Sequence, residues 1–115
     1  MMDELEILAN LCMIARIEQA VAKQQLDEGM QMLVYPMQRG MLVGLGFEGN
    51  EAHRVHAQEV VRKRSENIEQ LGAWLPAMFS DEGMYIVRRF DHMPDVGESL
   101  PLSEEELMAA KELLS

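Results

Sequence analysis

One cysteine, Cys12, stands in the 115 residues, so no disulfide can form within the chain. That suits a reducing compartment and leaves the fold to rest on packing alone. No apolar run approaches the roughly 18 residues of a membrane span. The first residues, MMDELE, lack the positive start of a secretory leader. The expected setting is a soluble protein of the cytoplasm.

Motifs that force a reaction are missing as well. There is no Gly-x-Ser-x-Gly elbow, and Ser65, Ser80, Ser99, Ser103 and Ser115 read as helix, turn or cap residues. Gly44-Leu45-Gly46 lacks the spacing of a dinucleotide fingerprint, and no P-loop lysine exists. Neither Cys-x-x-Cys nor His-Glu-x-x-His occurs. His53 and His56 stand three apart on one helix face, and His92, flanked by Asp91 and Asp95, could add a third ligand. This is the one constellation that would support a metal-dependent enzyme or sensor. Carboxylates are too numerous, at 20, to mark a catalytic pair. Cys12 lies in an apolar helix with no base in sight and reads as a small buried hydrophobe. The expectation is a non-enzymatic protein without cofactor or metal.

What the chain has is negative charge and methionine. The net charge is -10. Residues 1–30 carry a net -4, residues 91–115 a net -6, and the middle balances to zero around Arg62-Lys63-Arg64. Such a field repels phosphate, so direct nucleic-acid binding is disfavoured. An acidic mimic of nucleic acid, using Glu104-Glu105-Glu106, is an alternative function. The eleven methionines include Met30, Met32, Met37 and Met41 in one short stretch. Flexible, polarisable side chains suit the binding of varied apolar segments.

The apolar fraction, 48%, is that of a globular chain, and the length fits one domain over 1–115. Residues 3–26 read as a helix, apolar nearly all round from Ile7 to Ile17. Residues 30–47 read as a β-hairpin turning at Pro36 to Gly40; two helices, with an all-α bundle, are the alternative. Asn50 to Leu75 reads as the long central helix, capped by Asn50, with Ala57, Val61, Ile68, Leu71 and Leu75 as its buried stripe. A short apolar tail, Trp74 to Phe79, and a turn follow. Met84 to Phe90 reads as a strand, 91–102 as a surface loop, and Ser103 with Glu106 as the capping box of a last helix.

Leu45-Gly46-Phe47, Ala52, Asn67-Ile68-Glu69 and Trp74-Leu75 resemble the ubiquitin-associated domain, although the stretch from Phe47 to Asn67 is longer than in that family. The resemblance implies a three-helix module in which Leu45 and Phe47 form the contact loop. In layout, the helix, hairpin, long helix, strand and capped helix of an acidic chain resemble the specialised chaperones of type III secretion, with fewer strands. That resemblance implies an acidic dimer that binds unfolded partner segments.

These observations together predict a helix-rich α+β domain with a small antiparallel sheet. Its predicted job is protein binding as adaptor, chaperone or inhibitor, as a homodimer, with another protein as partner. The expected surface is Met30, Met32, Met37, Met41, Leu45, Phe47, Trp74 and Phe79, with Arg62, Lys63 and Arg64 steering.

Overall fold

The computed structural model describes residues 3–26, 29–50, 56–79, 82–94 and 98–114. The elements run α1 (Glu4–Glu18), β1 (Ala22–Gln25), β2 (Gln31–Pro36), β3 (Met41–Phe47), α2 (Ala57–Glu66), α3 (Ile68–Leu71), β4 (Leu75–Met78), β5 (Met84–Phe90) and α4 (Glu104–Leu113). The strands form one antiparallel sheet in the order β1-β2-β3-β5-β4. This is the α+β class expected. Residues 30–47 settle it against the all-α alternative, because Met32 faces Leu45 and Val34 faces Val43 across a hairpin.

Asp3 starts α1 by accepting a hydrogen bond from the Glu6 amide at 2.8 Å. The helix stops at Glu18, eight residues before the end expected for it. Gln19 takes a left-handed conformation, φ 52, and turns the chain back. The next residues become the edge strand β1, with Lys23 opposite Leu33. Three of its four residues are exposed, so no apolar alternation announces it.

The central helix is shorter and broken. His56 precedes α2, and the expected cap at Asn50 is followed by residues 51–55, which lie outside the described residues. Asn67, at φ -137 and ψ 56, interrupts the helix before the single turn α3. Its side chain donates to Gln70 Oε1 at 2.6 Å, which holds that turn. The break resets the helical phase, and the stripe expected to be buried does not stay on one face. Leu71 is buried and Val60 joins it, but Val61, Ile68 and Leu75 are each about half exposed. The tail after Trp74 is a second strand that the sequence did not announce, β4, on the other edge of the sheet. Its Pro76 removes one backbone donor from that edge.

The pleat then divides every strand between two faces. Met32, Val34, Met41, Val43, Leu45 and Phe47 point to the helices and meet Leu8, Leu11, Cys12 and Ala15 of α1. Leu107, Ala110 and Leu113 of α4 close the same core, as their spacing predicts. Trp74, 1% exposed, is its largest side chain. Burying such a side chain stabilises by about 3 kcal/mol relative to leaving it in water.

Two ion pairs tie the elements, one between two helices and one between helix and sheet. Lys111 of α4 holds Glu4 of α1. Arg88 of β5 donates to Glu106 of α4 at 2.8 Å, and its guanidinium lies 4.8 Å from the Phe90 ring centre. Ser103 and Glu106 form the reciprocal capping box that their spacing predicts. The bond from Arg88, set against partial burial, holds the Glu106 carboxyl below its ordinary value of 4.5. A carboxylate lowered in the folded state adds stability that is complete above its unfolded value. That stability is lost as the pH falls through the folded one. Glu106→Gln keeps the cap and loses the charge. It should cost about 1 kcal/mol or less at neutral pH, since the pair is partly exposed. Urea unfolding should show that difference fading as the pH falls below the ordinary carboxyl value of 4.5; a difference that stays constant with pH contradicts the pairing.

Candidate functional site

The sheet face turned away from the helices is the place where this chain leaves apolar surface open. The cross-strand register builds it in rows. Tyr35, Leu42 and Arg89 form one row; Lys23, Leu33, Gly44, Val87 and Leu75 form the next; Gln31, Gly46, Tyr85 and Ala77 form a third. Between them lies a trough of about 540 Å³, lined by Val21, Leu33, Tyr35, Met37, Leu42, Phe79 and Tyr85, with Lys23 at its side.

Two glycines shape its floor. A Cβ on Gly46 would stand 2.7 Å from the Tyr85 ring and 2.2 Å from the Met84 carbonyl oxygen. A Cβ on Gly44 would stand 3.0 Å from the Leu33 side chain. With both positions bare, Leu33 and Tyr85 lie down over the sheet and are each only 3% exposed, although they stand apart from the main core. Phe79 stacks on Tyr85 with ring centres 4.7 Å apart and closes one end. Tyr35, 54% exposed, stands at the other as a wall.

Other apolar side chains are exposed on the remaining sides. Val61 of α2, Ile68 of α3 and Leu75 and Met78 of β4 belong to elements joined by sequence or by contact. Met13, Ile14 and Ile17 face out from α1. A more polar cleft of about 740 Å³, with Arg16, Arg39, Asp91 and His92 in its lining, lies between the end of α1 and the β2–β3 turn.

Of the residues expected to form the binding surface, Met37 and Phe79 line the trough. Met32, Met41, Leu45, Phe47 and Trp74 are buried in the core, and their expected surface role is corrected. Strand alternation is the reason: the methionines at 32 and 41 fall on the helix side, and their neighbours Leu33 and Leu42 take the open side. Met30 is partly buried against the core. The ubiquitin-associated reading fails with them. Leu45 and Phe47 sit in a core strand instead of a contact loop, and a sheet replaces the three helices.

The basic knot is engaged within the chain. Arg62 pairs with Glu59 and Glu66, at 2.6 and 2.7 Å. That contact lowers the Glu59 carboxyl and raises the Arg62 guanidinium. Lys63 donates to the Glu112 carbonyl oxygen, and Arg64 donates to those of Gly72 and Trp74. Arg64 thereby fastens the turn into β4. Of the acidic cluster, Glu106 is tied to Arg88 while Glu104 and Glu105 are exposed. His56 is exposed before α2, His92 is exposed beside Glu98 at 3.0 Å, and His53 and Asp95 lie outside the described residues. Among the described residues no three histidine, cysteine or carboxylate side chains are grouped to hold a metal. No described helix is long and apolar enough to cross a membrane.

Sequence reasoning missed Val21, Lys23, Leu33, Tyr35, Leu42 and Tyr85. The signal was the alternation of β2 and β3, which fixes two faces but does not say which one the helices cover.

Cys12 is 3% exposed, its Sγ is 3.6 Å from Met41 Sδ, and burial pushes its thiol up to about 11. A disulfide reagent at pH 8 should label the native protein on the order of 100-fold more slowly than the urea-unfolded chain. Equal rates would contradict the burial of α1 against the sheet.

No family model and no curated protein matches the chain. Among solved structures, one described as the crystal structure of the ExsC-ExsE complex is similar to it, at 12% identity and a TM-score of 0.49. The likeness covers 98% of this chain and 89% of that one. It is distant, and the functional reading rests on the chain's own surfaces.

Proposed function

We propose that the protein is a small, non-enzymatic binding module of chaperone type that works as a homodimer in the cytoplasm and holds a segment of another protein. The observation that carries the reading is the trough. An antiparallel sheet with one packed face commonly turns polar residues to water on the other. Here the second face carries Leu33, Tyr35, Leu42, Tyr85 and Val87 instead. Over this floor Val21, Tyr35 and Met37 stand exposed, and apolar surface left open on a small protein marks an interaction site.

A second surface supports self-association. Val61 of α2 and Ile68 of α3 are about half exposed, and Met78, on the helix side of β4, is 69% exposed. A second copy laid against this side would take these apolar side chains out of water. Pro76 disfavours continuing the ladder at β4, so the contact between copies is one of side chains.

Each surface has its own test. Val61→Asp with Ile68→Asp should convert a dimer to a monomer in light scattering, with the circular dichroism spectrum unchanged. Leu42→Asp should leave the dimer intact. It should also abolish retention of whichever protein the wild type captures from its native lysate. A wild type that is monomeric at all concentrations overturns the dimer. Capture that Leu42→Asp does not alter overturns the trough as the docking site.

A further inference from the structure

The strand rows that build the trough carry no acid in an acidic protein. Across the five strands, the outward rows hold Lys23 and Arg89 and not one aspartate or glutamate, in a chain with 20 of them. Most described cations are already engaged. Arg16, Lys63 and Arg64 bind backbone carbonyls, while Arg62, Arg88 and Lys111 bind carboxylates. Among the described residues, Arg89 and Arg39 are left with neither hydrogen bond nor ion pair. Arg89 stands beside Leu42, which lines the trough, and Arg39 stands in the turn that carries Met37. Lys23 lies along the opposite edge, loosely held by Glu48 at 3.5 Å.

Local charge here opposes global charge. The net -10 repels acidic partners at long range. At physiological salt, however, charges further off than about 8 Å are screened. The helix layer, which carries Glu104 and Glu105, packs on the other face of the sheet. A chain laid in the trough therefore feels Lys23 and Arg89 before it feels the carboxylates of the far side. The trough itself takes apolar side chains, and the cations at both margins are matched by acids beside them.

We propose that the open face of the sheet docks an extended apolar segment of a partner protein flanked by acidic residues, with Lys23 and Arg89 selecting its carboxylates. This rests on the docking reading above and adds to it the chemistry of the partner. It reverses the simple expectation that an acidic protein takes a basic partner.

The test uses the full chain and three fluorescein-labelled synthetic peptides. All share one apolar centre of leucine, phenylalanine and valine, flanked on both sides by aspartates, serines or lysines. At physiological salt, anisotropy should show the aspartate peptide binding about tenfold more tightly than the lysine peptide, the size expected of a few exposed ion pairs. Arg89→Glu, at an exposed position, should erase or invert that order while changing serine-peptide binding little. Lys23→Glu should do the same to a lesser degree. Equal affinities, or a preference for lysine, overturn the charge selection and leave the docking reading standing. Failure of all three peptides, or binding that Leu42→Asp leaves unchanged, overturns both. If Leu42→Asp instead splits the dimer, the trough belongs to a second copy and the proposal falls.

Discussion

A β-strand must send alternate side chains to opposite faces, and this chain has enough helix to cover one of them. The rest of the structure depends on that constraint. Helices α1 and α4 bury Met32, Val34, Met41, Val43 and Leu45 in one core. The ion pairs Lys111–Glu4 and Arg88–Glu106 hold that layer in place. What remains is the reverse of the sheet, where among the described residues no helix covers Tyr35 and Leu42.

The reverse face is adapted to this condition. Gly44 and Gly46 let Leu33 and Tyr85 lie flat, so the sheet hides part of its own apolar surface and still leaves a trough. The cost of such a face is a liability to aggregation, and the chain offsets it elsewhere. Its edges are short strands, one polar along most of its length and one carrying a proline. Its net charge of -10 keeps copies apart at long range. Positive charge is scarce, and nearly all of it serves internal contacts. Arg64 illustrates this: it read as a steering residue and in fact fastens the backbone around Gly72 and Trp74.

Much of the fold was legible. The capping box at Ser103, the stripe of α4, the strand Met84 to Phe90 and the hairpin of 30–47 follow from local chemistry, and the structure has them all. The strands β1 and β4 were not legible. Each is four residues long, mostly exposed, and defined by its partner more than by its own pattern. The stripe Val61, Ile68, Leu75 was not legible either: the break at Asn67 and the strand β4 divide it, and all three residues stay half exposed. The site suffered an ambiguity of its own. Methionine content pointed to 30–47; the side chains at 32 and 41 fall on the packed side of the pleat. A shift of one residue exchanges the two faces, and only the packing of α1 decides between them.

The central claim is that the open face, and not the packed one, receives the partner. Methyl NMR during a titration with the aspartate-flanked peptide tests it directly. The account predicts that the methyl signals of Val21, Leu33, Met37 and Leu42 shift and saturate together, while those of Met32, Val34, Met41 and Val43 stay where they are. Shifts concentrated on the second group, or spread evenly over both, would contradict it.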